Sequence, residues 1–92
     1  MKRWRLRSLY SGRVQGVGFR YTVKTAASGF EVTGTIRNLR DGRVELTAEG
    51  LRDELEAFQQ AIRDSGLGSL ITHEEVFWSE PTNEFRGFAI VS

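Results

Sequence analysis

The sequence contains no cysteine, which removes disulfides, thiolate metal sites and cysteine nucleophiles in one step. Its core has to hold without covalent staples. Histidine occurs once, at His73, and a lone histidine in a strand-like stretch is far more often structural or exposed than a catalyst or metal ligand. No apolar run approaches the ~20 residues that a membrane-spanning helix needs, and the amino end lacks the apolar stretch of a secretory signal. The expectation is a cytoplasmic protein with no membrane partner. A formal net charge of only +1 also gives no reason to invoke nucleic acid or an anionic membrane surface.

What is present suits a folded domain. With 92 residues, 39% hydrophobic and 27% charged, the chain can bury one core, so residues 1–92 are expected to form a single domain. A monomer is the default expectation. Arg3, Arg5, Arg7 and Arg13 crowd the amino end, while Glu49, Asp53, Glu54 and Glu56 follow the midpoint. Such a division fits two solvated faces, and it also fits a local cationic region for an anionic ligand.

Periodicity divides the chain. Trp4, Leu6, Ser8 and Tyr10 alternate with Arg3, Arg5 and Arg7, which predicts a half-buried strand over residues 3–11. Phe19, Val23, Ala26 and Ala27 then fall at helical spacing, with Gly29 as the stop. Thr22, Val23, Thr25 and Ser28 are mediocre helix formers, so this helix has to lean on packing. Alternation returns at Val32, Gly34, Ile36 and Asn38, turns at Arg40-Asp41-Gly42, and resumes at Val44, Leu46 and Ala48, which reads as a β-hairpin. Leu51, Leu55, Phe58 and Ile62 mark a second helix, with acidic residues early where the dipole favours them. A strand over Ile71–Ser79 follows, Pro81 and Asn83 break the chain, and Phe85–Val91 reads as a short last strand.

This order predicts an α+β fold: a ferredoxin-like βαββαβ two-layer sandwich, with a mostly antiparallel sheet and two helices on one face. A right-handed crossover makes the first two strands parallel, with the third between them, so their carboxyl ends share one edge of the sheet. The loop after Gly12 and the side chain of Asn38 are therefore expected to meet.

That loop, Gly12-Arg13-Val14-Gln15-Gly16-Val17-Gly18-Phe19-Arg20, joins strand to helix. Glycines let backbone amides converge, and a helix amino terminus adds orphan N–H groups and partial positive charge, so the segment suits an anion. Arg20 in the first helical turn opposes the dipole at a cost of roughly 0.3 to 1 kcal/mol unless a negative group compensates it. The same residues also fit a plain tight turn with Arg20 in solvent, and spacing alone is compatible with both. No Lys-Ser/Thr follows the last glycine and no third glycine stands at Tyr21, which argues against Walker and dinucleotide loops.

The stretch from Gly12 to Arg20 resembles the first signature of the acylphosphatase family, and Gly34-Thr35-Ile36-Arg37-Asn38-Leu39-Arg40-Asp41-Gly42-Arg43-Val44-Glu45 resembles the second. Glu49-Gly50 and Gly87-Phe88-x-Ile90 extend the likeness over essentially the whole chain as one acylphosphatase-like domain. The resemblance implies hydrolysis of a carboxyl-phosphate anhydride to carboxylate and phosphate, with no metal and no cofactor. It implies that Arg20 binds the phosphate, that Asn38 positions the attacking water, and that the amides of Gln15, Gly16, Val17, Gly18 and Phe19 hold phosphate oxygens. The implied partners are a small acyl phosphate and inorganic phosphate or another anion in the loop. Thr35 stands where many members carry an aromatic residue, which is expected to affect packing next to the site. Arg37 offers a second anion contact or an ordinary exposed strand arginine.

Two other readings compete. Arg86-Gly87-Phe88-Ala89-Ile90-Val91 resembles an aromatic RNA-contact motif, but it lies on the last strand, and the third strand offers no stacking aromatic. The other is a non-catalytic anion-binding or regulatory module, like the acylphosphatase-like segment of hydrogenase-maturation carbamoyl-transfer proteins.

Overall fold

Leu6, Ser8 and Tyr10 are fully buried along β1 (Arg3–Gly12), so the alternation in the first strand marks a face turned inward. The computed structural model describes residues 1–92. After β1 come α1 (Phe19–Ala27), β2 (Val32–Asn38), β3 (Val44–Leu51), α2 (Arg52–Asp64), a single 3-10 turn (Gly68–Leu70), β4 (Ile71–Ser79) and β5 (Phe88–Ile90). One five-stranded sheet results, in the order β4-β1-β3-β2-β5. β3 runs antiparallel to both β1 and β2, β4 antiparallel to β1, and β5 parallel to β2. The ferredoxin-like arrangement expected from the element order is the one observed.

Both helices bury their apolar stripes on the sheet face that carries Leu6, Tyr10, Ile36 and Leu46. α1 buries Phe19, Val23 and Ala27, one per turn, and has no acidic residue in its first turn. Its position depends on a contact to β1: the Phe19 ring meets the Tyr10 ring edge-on, with centroids 5.3 Å apart. α2 begins with Asp53 and Glu54 and buries Leu55, Phe58 and Ile62. Phe58 packs against Phe30 at 5.9 Å and Phe88 at 5.8 Å, which joins α2 to the end of α1 and to β5. Burying a ring of this kind contributes on the order of 2–3 kcal/mol.

The last strand is shorter than the alternation suggests. Residues 80–87 cross the open face of the sheet first, because the buried Glu49 carboxylate accepts the Thr82 amide at 2.8 Å and the Asn83 amide at 2.9 Å. Only Phe88–Ile90 then pairs, against Gly34 to Ile36 of β2. The rest of the open face is an ion-pair lattice. Glu45 takes Arg37 Nε at 2.7 Å and Arg7 Nε at 2.8 Å, and Glu49 lies 3.3 Å from Arg5 Nε. No helix is long and apolar enough to cross a membrane.

Candidate active site

Register brings the two sequence signatures to one edge of the sheet. Tyr10 of β1 and Asn38 of β2 both pair with Val44, from opposite sides of β3, so they stand two strand spacings apart, about 9–10 Å. β1 therefore releases the loop of residues 13–18 at the edge where β2 ends. The Gln15 side chain joins the two segments directly: Nε2 donates to the Leu39 carbonyl at 2.8 Å and to the Arg43 carbonyl at 2.9 Å, at either end of the β2–β3 turn. Both amide protons of one side chain are used to hold the glycine-rich loop against the hairpin.

The loop itself is built to present N–H groups. Gly16 (φ 74°) and Gly18 (φ 82°) are left-handed, a conformation that disfavours other residues. Left-handed glycines alternating with ordinary residues are the backbone from which amides converge into an anion-binding concavity. Arg13 N–H donates to the Leu70 carbonyl and Thr22 N–H to the Gly18 carbonyl, but no N–H from Val14 through Tyr21 has a protein partner. Part of that run is the first turn of α1, where the helix leaves such groups unpaired and adds positive potential.

Arg20 lies in the same turn, half-buried and in no ion pair. Its guanidinium adds to the helix potential without an acidic neighbour in the turn to offset it. Gly16, Gly18 and Arg20 line a cavity of about 140 Å³ together with Val14, Phe19, Tyr21 and Ile90. A larger depression of about 540 Å³ lies between Gly34-Thr35 and residues 84–89. Its lining includes Glu84, whose carboxylate holds Arg5 at 2.9 Å, and Arg86, but neither of the residues that the two signatures assign to the substrate.

Asn38 shares the helix-side face of β2 with Gly34 and Ile36, both buried. Its Oδ1 is buried and accepts no hydrogen bond within the protein. A buried carboxamide oxygen left this way costs about 1–3 kcal/mol, which makes it a ready acceptor for an O–H donor. Asn38 is not itself a wall of the smaller cavity. It stands at the strand end beside the turn that Gln15 grips.

The acylphosphatase family model matches residues 6–90. The chain belongs to the acylphosphatase family. It is 45% identical to an acylphosphatase of Bacillus licheniformis over 82 residues, 89% of this chain and 88% of that one. The crystal structure of acylphosphatase from Bacillus subtilis superposes with a TM-score of 0.88 at 37% identity, covering 97% of this chain and 99% of that chain. Full-length HypF in its phosphate- and nucleotide-bound form is also similar, with a TM-score of 0.79 and 29% identity, but the match covers only 12% of that protein.

Of the other signature residues, Arg37 is the ordinary exposed strand arginine and Thr35 is the one placed away from the loop. Arg37 faces the open side of the sheet, where Glu45 engages it at 2.7 Å, so it is no second anion contact beside Asn38. Thr35 shares that open side, across from Thr47, and lines the larger depression rather than packing next to the loop. Gln15 has a free main-chain N–H like its loop neighbours, but its side chain is spent on the hairpin. Tyr21 and Ile90 were not expected at the site, since Tyr21 gave no signal and Ile90 counted only as a strand residue within the Gly87-Phe88-x-Ile90 likeness. His73 is exposed on β4.

Proposed function

We propose that this chain hydrolyses acyl phosphates in the loop of residues 13–18, with Arg20 and Asn38 as the groups that act on the substrate. The observation that carries this reading is the uninterrupted run of unpaired N–H groups from Val14 through Tyr21, flanked by an unpaired guanidinium. In this reading, amides of Gln15 to Phe19 and the Arg20 fork hold the equatorial phosphoryl oxygens, where a loose transition state spreads negative charge. A planar, always protonated guanidinium matches two such oxygens at once.

The rest of the chemistry asks little of the protein. Water oxygen attacks phosphorus as the bond from phosphorus to the carboxyl oxygen breaks, and the electron pair leaves on a carboxylate. Its conjugate acid has a pKa near ~4, so no general acid is needed. The proton lost by water passes to a phosphoryl oxygen. Asn38 Oδ1, buried and lacking an intramolecular donor, accepts from that water and aims it. No metal enters this scheme. A monomer of one such domain over residues 1–92, acting in the cytoplasm, belongs to the same proposal.

Similarity to a segment of HypF, a far longer protein, favours one competing reading, an anion-binding module without turnover. Release of phosphate from benzoyl phosphate separates the two. Turnover that survives EDTA and falls by about 10²–10³ in Asn38→Ala, with the fold intact, is the expected result. A wild-type rate at background would leave only anion binding, and a full rate in Asn38→Ala would remove Asn38 from the mechanism.

A further inference from the structure

Holding the phosphate accounts for one half of an acyl phosphate, and the structure also offers a surface for the other half. Two of the walls of the 140 Å³ cavity are large apolar side chains that the fold leaves open: Tyr21, 71% exposed, and Ile90, 37% exposed. Val91, 36% exposed, follows Ile90 and is tied down by its N–H to the Ile36 carbonyl at 3.0 Å. Single exposed apolar residues are ordinary on protein surfaces. These are gathered beside the run of free main-chain donors from Val14 through Tyr21.

Their placement follows from the fold. Ile90 pairs with Ile36 in the parallel β2–β5 ladder and shares the helix side of the sheet with Phe88. Tyr21 is the third residue of α1, one step beyond Arg20. The helix amino terminus and the last strand thus bring an aromatic and a branched aliphatic side chain to the same cavity as Arg20 and the loop glycines. No carboxylate lines the cavity, and its sole charge is Arg20.

We infer that Tyr21 and Ile90 form the acyl-binding wall, and that the chain favours acyl phosphates whose acyl group is apolar, above all aromatic. This rests on the phosphate lying in the loop as proposed above. With phosphorus held by the amides and Arg20, the acyl carbon is one oxygen away, so its substituent lies close to the exposed apolar members of the same cavity lining. An apolar substituent there buries surface against Tyr21 and Ile90. A methyl group buries far less surface than a phenyl ring. An acidic substituent would have to shed water against apolar walls.

The test compares kcat/KM for acetyl, benzoyl and succinyl phosphate in the wild type, Tyr21→Ser and Ile90→Thr. Tyr21 is mostly exposed, so its replacement leaves the core intact, and threonine at position 90 keeps the β-branched shape that the strand accepts. The wild type is expected to prefer benzoyl over both acetyl and succinyl phosphate. Each variant is expected to lower the benzoyl-to-acetyl ratio roughly tenfold, in the range that small changes in an apolar pocket produce, while inhibition by inorganic phosphate moves less than twofold. An unchanged ratio in both variants, or a wild-type preference for succinyl phosphate, overturns the acyl wall and leaves the phosphate site standing. No hydrolysis of any of the three by the wild type overturns both.

Discussion

The Gln15 carboxamide donates to the Leu39 carbonyl at 2.8 Å, fastening the glycine-rich loop to the residue that follows Asn38. With its second bond to Arg43, at 2.9 Å, this side chain sets the spacing between the proposed phosphate donors and the proposed water acceptor. Gln15 is in this sense a positioning residue. Gln15→Leu should lower kcat by about 10- to 100-fold, since an ångström of misplacement can cost about that much. Inhibition by inorganic phosphate should weaken far less, because the amides and Arg20 remain. Equal losses in kcat and phosphate affinity would mean that the loop had merely collapsed.

Arg20→Lys keeps the charge and removes the fork. An ammonium cannot bridge two phosphoryl oxygens in one plane, so kcat/KM should fall by about 10²–10³, with KM raised as well as kcat lowered. Steady-state kinetics with benzoyl phosphate would check this. A change in KM alone would assign Arg20 to ground-state binding only.

Glu49 is fully buried and accepts main-chain N–H groups from Thr82 and Asn83. Glu49→Ala leaves both donors without their carboxylate and frees the segment that leads into β5. Charged hydrogen bonds contribute roughly 1.5–3 kcal/mol each and are not additive, so a loss of about 2–4 kcal/mol in urea unfolding is expected. A loss below about 0.5 kcal/mol would show that the segment is held chiefly by Phe88.

Glu45 carries a pH signature. Burial raises its pKa, but hydrogen bonds and charge from Arg37 and Arg7 outweigh that and hold the carboxyl below its ordinary value. A carboxylate depressed in the folded state adds stability that is complete above its unfolded pKa of ~4.3 and is lost as pH falls through the lower folded value. Wild type should therefore exceed Glu45→Gln in urea midpoint at pH 7, and the gap should narrow progressively as pH falls below ~4.3. A gap that persisted at low pH would assign the effect to packing.

Much of the site was legible because its signals are local. Glycines before a helix, an arginine in its first turn and an asparagine ending a hairpin strand can be read from neighbours along the chain, and the crossover rule brings the two segments to one edge. The partners of individual side chains were not legible. Gln15 bonds a carbonyl 24 residues away, and nothing in its own surroundings announces it. Arg37 looked free for an anion until Glu45, opposite it in the β2–β3 register, engaged it. Thr35 and Asn38 differ by an odd number of positions on one strand, so they face opposite sides of the sheet. Ile90 reaches the cavity through the parallel pairing of β5 with β2, after residues 82 and 83, held by Glu49, have crossed the open face.

The amino-acid sequence by itself determined the order of elements, the family and the kinds of group available: main-chain amides freed by glycine, one guanidinium and one carboxamide. Tertiary structure alone decided which of them face each other, which charges are already neutralised, and that Tyr21 and Ile90 line one cavity. The division has a physical cause. Periodicity along a strand or helix records which side is buried against something, whereas the identity of that something is set by strand order and register, through packing between residues far apart in the chain.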